Sequence, residues 1–205
     1  DSREMTKIAA CIIAYQSEEK IKALLESLKD QVDYMVVGID SKTTDKTEEV
    51  ALSFGAITFP FDLNDDFAAA RQQTFNKATA EWILWIDTDD TLHSDVPIRQ
   101  IADEAKPDVS MIWFPYVYHR DDFGNVTTIF DRERLIRKAA GYKWEGALHE
   151  TCRCTHPQIV GQFREQRAWI EQPNRTEEGK SERNLRILHK MIEDPSDHRA
   201  RLYLA

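Results

Sequence analysis

The chain has 205 residues, of which 41% are hydrophobic and 31% are charged, so we expect one folded domain with room for an appendage. The net charge of −9 argues against a nucleic acid as the main ligand, because phosphate backbones need a basic surface. No apolar run approaches the ~20 residues of a membrane span, so no transmembrane segment is expected.

The cysteine count and the first residues both bear on the compartment. Three cysteines cannot form a fully paired disulfide framework, and their number is typical of a reducing environment. The first five residues do not resemble a signal peptide. We therefore expect a cytoplasmic protein.

Apolar strands alternate with amphipathic helices over the first 87 residues. Four short apolar runs, typical of strands buried on both faces, lie at 7–14, 34–39, 56–59 and 82–86. Between them we predict a helix through Ile21 and Leu28 preceded by Ser17, a helix opened by a capping box of Asp45 and Glu48, and a helix over 65–77. This order predicts an α/β fold with a doubly wound, Rossmann-like, mostly parallel sheet flanked by helices.

The rest of the chain mixes strands and helices. We predict a helix over 94–105, strands over 111–119, 126–138 and 168–170, and a linker over 172–179. An apolar stripe then marks an amphipathic helix through Leu185, Leu188, Met191 and Ile192, which Pro195 separates from a further helix. The domain boundaries follow as 1–172 for the α/β domain and 173–205 for a helical hairpin, which either caps the sheet or begins a repeat array.

Acidic side chains follow three of the four early strands. Ligands of open parallel sheets bind beyond the carboxyl ends of the strands, where Asp40, Asp62 and Asp87 are predicted to lie. Asp87 and Asp89 leave a very apolar strand as alternate residues. Mg²⁺ and Mn²⁺ are usually held by one or two carboxylates together with phosphate oxygens, so this pair predicts a metal and a nucleoside diphosphate.

Five segments in this order resemble family 2 glycosyltransferases of the GT-A fold. The similarity is greatest to the branch that has a tetratricopeptide-like tail and includes peptide S-glycosyltransferases. The segments are 12–18, 36–47, 65–71, 82–90 and 146–150. Gln16-Ser17 and Thr88 depart from the usual residues of the family pattern, but neither departure removes a ligand.

The resemblance assigns roles to residues at these positions. It implies that Tyr15 and Asp40 contact a uridine, that Asp87 binds ribose or metal, and that Asp89 binds the metal with His149 as a third ligand. Arg71 would approach Asp87 and order the site, or reach the phosphates. The full set of implied nucleotide-binding residues is Ala14, Tyr15, Glu18, Asp40, Lys42, Arg71, Asp87 and Thr88.

The resemblance also implies a reaction. A hexosyl group would move with inversion from a nucleoside-diphosphate donor, with UDP expected, to a peptide, protein or glycan acceptor, assisted by Mn²⁺ or Mg²⁺. A single displacement needs one base, for which Glu150 ranks before Glu145, with Asp121 and Asp122 next. The C-terminal helices are a candidate surface for a homo-oligomer.

Two other functions compete with this interpretation. The run from Ile83 to Leu92 also fits haloacid-dehalogenase-type phosphatases, with Asp87 as nucleophile and Asp89 as acid/base. That family places this strand first in its sheet, whereas three β-α units precede it here. A non-catalytic nucleotide-sugar binding module is the other alternative, and the presence of Glu145 and Glu150 argues against it.

Two further clusters of residues have both a structural and a functional interpretation. Cys152 and Cys154, with His149 and His156, could bind zinc, but we favour small core cysteines because the spacing is tighter than in usual zinc sites. The aromatic residues of the strand over 111–119 could line an acceptor site or pack on the sheet, and the sequence leaves both open. They are Trp113, Phe114, Tyr116 and Tyr118.

Overall fold

The computed structural model describes residues 5–173 and 180–193, with side chains of the last helix described from Glu182 onward. The elements alternate as the early pattern predicts and then continue as strands. In chain order they are β1 (Ile8–Ala14), α1 (Glu18–Leu28), β2 (Tyr34–Asp40), α2 (Thr47–Ser53), β3 (Ile57–Phe61), α3 (Phe67–Lys77), β4 (Trp82–Trp85), β5 (Thr91–Ser94), α4 (Ile98–Glu104), β6 (Val109–Arg120), β7 (Val126–Arg137), a 3₁₀ turn (Lys138–Ala140), β8 (Tyr142–Glu145), β9 (Thr151–Cys154), β10 (Gly161–Arg164), β11 (Ala168–Glu171) and α5 (Lys180–Glu193).

A nine-stranded sheet organises the molecule. Its order is β3-β2-β1-β4-β7-β6-β11-β5, with β10 also pairing with β6, while β8 and β9 form a separate hairpin. The first four strands are parallel, and β7 enters antiparallel between β4 and β6. The predicted mostly parallel α/β sheet is confirmed, and the carboxyl ends of β1, β2 and β4 share one edge.

The sheet is covered on both faces, which explains the continuous apolar strands. On β1, Ile12 faces a core that contains Leu24 and Leu25 of α1, whereas Cys11 faces a second core with Phe75 of α3. Trp85 of β4 belongs to this second core, where it meets Trp144 of the hairpin edge to face. Strands buried on both sides have no polar face, so no alternation is visible in their sequence.

Two local predictions differ from the structure. The helix predicted over 94–105 forms, but it begins four residues later than predicted, as α4 over Ile98–Glu104, because Ser94 belongs to β5, an unpredicted strand that pairs antiparallel with β11. The predicted capping box does not form either. The Glu48 carboxylate accepts a hydrogen bond from the Thr58 hydroxyl at 2.8 Å. Tertiary pairing therefore overrode the local signals at both places.

Helix α5 packs on the α/β domain through the turn that joins β8 and β9. Ile187, Leu188 and Met191 form a small core with Leu148 of that turn. Arg186 and Lys190 both bind the carboxylate of Asp65, at 2.8 and 2.7 Å. The amphipathic helix is confirmed, whereas the remaining linker residues 174–179, the break at 195 and the second helix lie outside the described residues.

None of the helices in the described part of the chain combines the length and apolar character that crossing a membrane requires.

The packing of α5 on the domain can be tested by substituting one residue on its buried face and one on its exposed face. Ile187 is fully buried and Leu185 is 45% exposed, so the two side chains form a matched pair on one helix. We expect Ile187→Ala to lower the free energy of unfolding by about 2–5 kcal/mol and Leu185→Ala by no more than about 0.5 kcal/mol, measured by urea denaturation. Equal effects of the two substitutions would show that α5 does not pack as described.

Candidate functional site

Three strand-end loops meet at the carboxyl edge of the sheet. The backbone N–H of Ser17, after β1, donates to the hydroxyl of Thr47, beyond β2, at 2.7 Å. The Ser17 hydroxyl donates to the hydroxyl of Thr88, after β4, at 3.1 Å. Ser17 thus stands at the start of α1, but its hydroxyl joins loops instead of capping the helix. The three loops form one surface because their polar groups satisfy one another.

The residues expected to bind a nucleotide lie on this surface in different environments. Tyr15 is 53% exposed, whereas Ala14 and Asp40 are buried at the ends of β1 and β2. Asp40 accepts a hydrogen bond from the backbone N–H of Lys42 at 2.9 Å, and Glu18 accepts one from that of Lys46 at 3.2 Å. The carboxylates of Asp40 and Glu18 therefore stabilise the backbone of the loop that follows β2.

One buried guanidinium joins the two acidic segments of the site. Arg71, from the first turns of α3, donates through Nη2 to Asp87 Oδ1 and through Nε to Glu150 Oε1, both at 2.6 Å. Its guanidinium lies 4.3 Å from the centre of the Trp85 ring. Helix α3 is oriented at its start by Asp66, whose side chain accepts a hydrogen bond from the Ala69 N–H. The structure thus brings Asp87 and Glu150 to one cation.

Asp87 is held as a carboxylate by the positive charge around it. Burial by itself would raise the pKa of Asp87, but the charges of Arg71, Arg134 and Arg132 outweigh that effect and lower the pKa. Its side chain is 34% exposed, so it remains open to the surface of the site. An ionised, partly open carboxylate can bind a cation or the hydroxyls of a ribose.

Asp90, three residues further along the chain, has a pKa that is shifted in the opposite direction. Burial raises the pKa of Asp90 to about 7, an effect that Arg134 opposes and the neighbouring aspartates reinforce. It accepts hydrogen bonds from the Tyr116 hydroxyl at 2.8 Å and from the Asp87 backbone N–H at 3.3 Å. Asp90 therefore fixes the shape of the turn over 87–90 from behind the site.

The metal ligands expected from the sequence are not preassembled. Within residues 5–173 and 180–193 no group of three or more His, Cys, Asp or Glu side chains is placed to hold a metal ion. Asp89 is half-buried, and its Oδ2 accepts a hydrogen bond from Gln172 Nε2 at 2.7 Å. His149 is exposed on the β8–β9 turn, with a left-handed backbone at φ +53°.

This donor set still fits Mg²⁺ or Mn²⁺. Both ions prefer oxygen ligands and usually take one or two protein carboxylates, with the remaining positions filled by water and substrate phosphates. Asp87 and Asp89 are two carboxylates at one strand end, and Asp87 is kept ionised. A site that is completed only when a diphosphate binds matches this arrangement.

The two candidate bases lie in different places. Glu145 is bound by Lys143 at 3.3 Å and by Arg153 at 3.0 Å on the outer face of the β8–β9 hairpin. Glu150 is buried against Arg71 after a turn in which Gly146 has φ +93°. That turn interrupts the strand alternation between the two glutamates. Of the two, Glu150 contacts the guanidinium that also binds Asp87.

Asp121, in the β6–β7 turn, has a conformational role. Asp121 accepts hydrogen bonds from the backbone N–H groups of Phe123 and Asn125, which closes the turn. Asx turns of this kind are typical of hairpin tips. Asp121 therefore stabilises its own turn, a role that is independent of the strand-end site.

Sequence reasoning missed two arginines that line the floor of the site. Arg132 and Arg134 of β7 lie 5.0 and 4.0 Å from the centre of the Trp85 ring, on which Arg71 also stacks. Arg132 donates to the backbone carbonyl of Glu150 at 3.1 Å. The available signal was the run Asp-Arg-Glu-Arg at 131–134, where charged residues interrupt a predicted strand.

The cysteines and the aromatic strand belong to the packing of the domain. Cys152 is buried beside Trp144, and burial raises the pKa of its thiol, which disfavours the thiolate that zinc requires. Phe114 and Tyr116 of β6 lie in the core, and Tyr118 packs on Phe130 at 5.5 Å between ring centres. Packing therefore accounts for Cys152, Phe114 and Tyr116, whereas Trp113 is only half-buried and donates through Nε1 to Gln162.

Several known proteins are similar to this chain in sequence. The family model described as Glycosyl transferase family 2 matches residues 9–164. The SPbeta prophage-derived glycosyltransferase SunS of Bacillus subtilis is 30% identical over 149 residues, which are 70% of this chain and 34% of SunS. A TPR repeat-containing protein of Synechococcus elongatus is 39% identical over 88 residues, 43% of this chain and 22% of that protein. The chain thus spans about a fifth to a third of these relatives.

Two solved structures share the fold at low sequence identity. S. aureus TarS superposes with a TM-score of 0.56 at 14% identity, covering 94% of this chain and 41% of TarS. Glucosyl-3-phosphoglycerate synthase from Mycobacterium tuberculosis also gives 0.56, at 13% identity, covering 92% of this chain and 79% of the synthase.

The two-carboxylate contact of Arg71 can be tested by removing its charge. Arg71→Met removes the guanidinium that both Asp87 and Glu150 contact, so we expect the free energy of unfolding to fall by about 3–5 kcal/mol, measured by urea denaturation. Arg164→Met removes an arginine that is 73% exposed in an ion pair with Asp131, and should cost less than about 1 kcal/mol. Similar losses in the two variants would contradict the assignment.

Proposed function

The chain belongs to glycosyl transferase family 2, and on that premise we propose that it transfers a sugar from a UDP-linked donor to an acceptor with inversion at the anomeric carbon. The observation that carries the proposal is the contact of Arg71 with both Asp87 and Glu150 at 2.6 Å, because these are the carboxylates expected to bind the donor and to act as the base. The acceptor is a peptide, a protein or a glycan.

The donor occupies the surface formed by the strand-end loops. Tyr15 is exposed beside the end of β1 and can stack on the base, while Asp40 ends the neighbouring strand. The implied nucleotide-binding set is completed around them by Ala14, Glu18, Lys42 and Thr88. The synthase from M. tuberculosis that shares the fold was solved with UDP and Mn²⁺, which supports this choice of donor and metal.

Asp87 and Asp89 would hold Mn²⁺ or Mg²⁺ together with the diphosphate, and His149 is a candidate third ligand. When bound, the cation would supply Lewis-acid stabilisation of the negative charge on the leaving diphosphate. Arg71 and Arg134 keep the Asp87 carboxylate ionised. Because Arg71 binds Asp87 through Oδ1, it also fixes the direction in which this carboxylate faces.

Glu150 takes the proton of the acceptor. A single inverting displacement needs one base on the side opposite the leaving group. Arg71 binds Glu150 through Oε1, and Arg132 holds its backbone carbonyl, so the carboxylate has a fixed orientation. Glu145 ranks second because Lys143 and Arg153 engage it on the outer face of the hairpin.

The phosphatase interpretation does not hold. Strand β4 is the fourth strand of the chain and pairs with β1, with three β-α units before it, and the family match runs through it. Asp87, the nucleophile in that interpretation, is instead engaged by a buried arginine. A non-catalytic binding module differs from a transferase only in turnover, so kinetics decides between those two.

Donor binding should depend on the metal and on Asp89. We expect UDP with Mn²⁺ to raise the melting temperature of the protein, since a ligand at 100 times its Kd stabilises the native state by about 2.7 kcal/mol. Asp89→Asn should abolish this shift, whereas Asp95→Asn, at an exposed position outside the site, should retain it. An undiminished rise in melting temperature in the presence of EDTA, or in Asp89→Asn, would contradict the metal assignment.

The base can be separated from donor binding. We expect Glu150→Gln to bind the UDP-sugar with nearly normal affinity and to turn over ~10²–10⁴-fold more slowly, because a general base acts on the acceptor. Glu145→Gln is the matched control and should retain turnover. The check is single-turnover kinetics with saturating donor, alongside calorimetric donor affinity. Normal turnover in Glu150→Gln with loss in Glu145→Gln would reverse the assignment.

A further inference from the structure

A glutamine that follows the last strand of the sheet reaches into the strand-end site. Gln172 comes directly after β11, at the start of the segment that the sequence predicts as a linker. Its Nε2 donates to Oδ2 of Asp89 at 2.7 Å, across 83 residues of chain. Its backbone N–H donates to the Val117 carbonyl of β6 at 3.0 Å. The residue is therefore held by the sheet and contacts a proposed metal ligand.

Strand pairing fixes the position of Gln172. Strand β11 pairs antiparallel with β5, in a register that sets Glu171 opposite Thr91. Because the strands are antiparallel and Thr91 follows Asp89 by two residues, Gln172, the residue after β11, lies beside the turn over 87–90. Arg120 binds the Glu171 carboxylate through two contacts, at 2.5 and 3.2 Å, and anchors the end of the strand.

The orientation of the Gln172 amide follows from the chemistry of its partner. An ionised carboxylate only accepts hydrogen bonds, so the NH₂ group must face Asp89. Oε1 is then buried, and no donor in the described part of the chain reaches it. Buried amide oxygens are rarely left unpaired, so this arrangement gives up one hydrogen bond to make the contact with Asp89.

We propose that Gln172 is a positioning residue for the metal site, whose amide holds the Asp89 carboxylate in the orientation that binds the cation. This inference rests on the proposed function, in which Asp89 is a metal ligand. Residues that hydrogen-bond metal ligands orient them, and their loss typically costs ~10–100-fold in metal affinity. Gln172, the last residue of the predicted α/β domain, thus belongs to the site.

The test is a measurement of Mn²⁺ binding. Gln172→Met keeps the side-chain length and removes the N–H donor. We expect it to weaken Mn²⁺ binding in the presence of UDP by ~10–100-fold, measured by electron paramagnetic resonance. The matched control is Gln162→Met, which removes an exposed amide bound to Trp113 Nε1 and should leave Mn²⁺ affinity unchanged. In steady state, the Mn²⁺ concentration for half-maximal rate should rise, while kcat at saturating Mn²⁺ stays near wild type.

Each outcome decides the inference. If Gln172→Met fails to fold, Gln172→Asn keeps a polar amide but is one methylene shorter, which withdraws the N–H donor from Asp89, and should show the same loss of Mn²⁺ affinity. Wild-type Mn²⁺ affinity in a folded variant at position 172 overturns the positioning role. An unchanged Mn²⁺ affinity with a lowered kcat also overturns it. If the wild type itself binds no Mn²⁺ with UDP, the metal assignment of the proposed function fails instead.

Discussion

The site depends on one buried cation shared by two carboxylates. Arg71 reaches Asp87, 16 residues further along the chain, and Glu150, 79 residues further along, so a single side chain joins β4 to the turn between β8 and β9. A buried ion pair contributes little net stability over a well-packed apolar substitute, but removing one partner is costly, because the remaining charge is left without compensation. The contact therefore determines the geometry of the site more than it determines the stability of the fold.

Around this cation, charges and aromatic rings are layered. The guanidinium groups of Arg71 from α3 and Arg134 from β7 lie over the ring of Trp85. The indole N–H of Trp85 donates to the Glu133 carbonyl. Behind them, Asp90 accepts from Tyr116 and lies 3.6 Å from Arg134, with both side chains of that ion pair almost completely buried. In such a low-dielectric setting each charge acts strongly on its neighbours, which is why Asp87 and Asp90, three residues apart, have pKa values shifted in opposite directions.

The sequence predicted what is local and periodic, and it missed what depends on distant pairing. The apolar runs of β1 and β4 required burial on both faces, so the parallel sheet and the strand-end position of Asp87 could be predicted. Strand β5 has only four residues, and it forms because β11, far along the chain, pairs with it. That pairing is also what brings Gln172 to Asp89, so no pattern near either residue could reveal the contact. The left-handed backbone of His149 likewise reflects a turn that α5 packs against.

Asp87 and Glu150 act as one unit through Arg71, and a double-mutant cycle can measure this coupling. The free energies of unfolding of Asp87→Asn, Glu150→Gln and the double variant would be measured by urea denaturation at one pH. Because both carboxylates share one guanidinium, we expect a coupling energy of about 0.5–3 kcal/mol between the two substitutions. Effects that add within about 0.3–0.5 kcal/mol would contradict it, since independent carboxylates do not need a common cation.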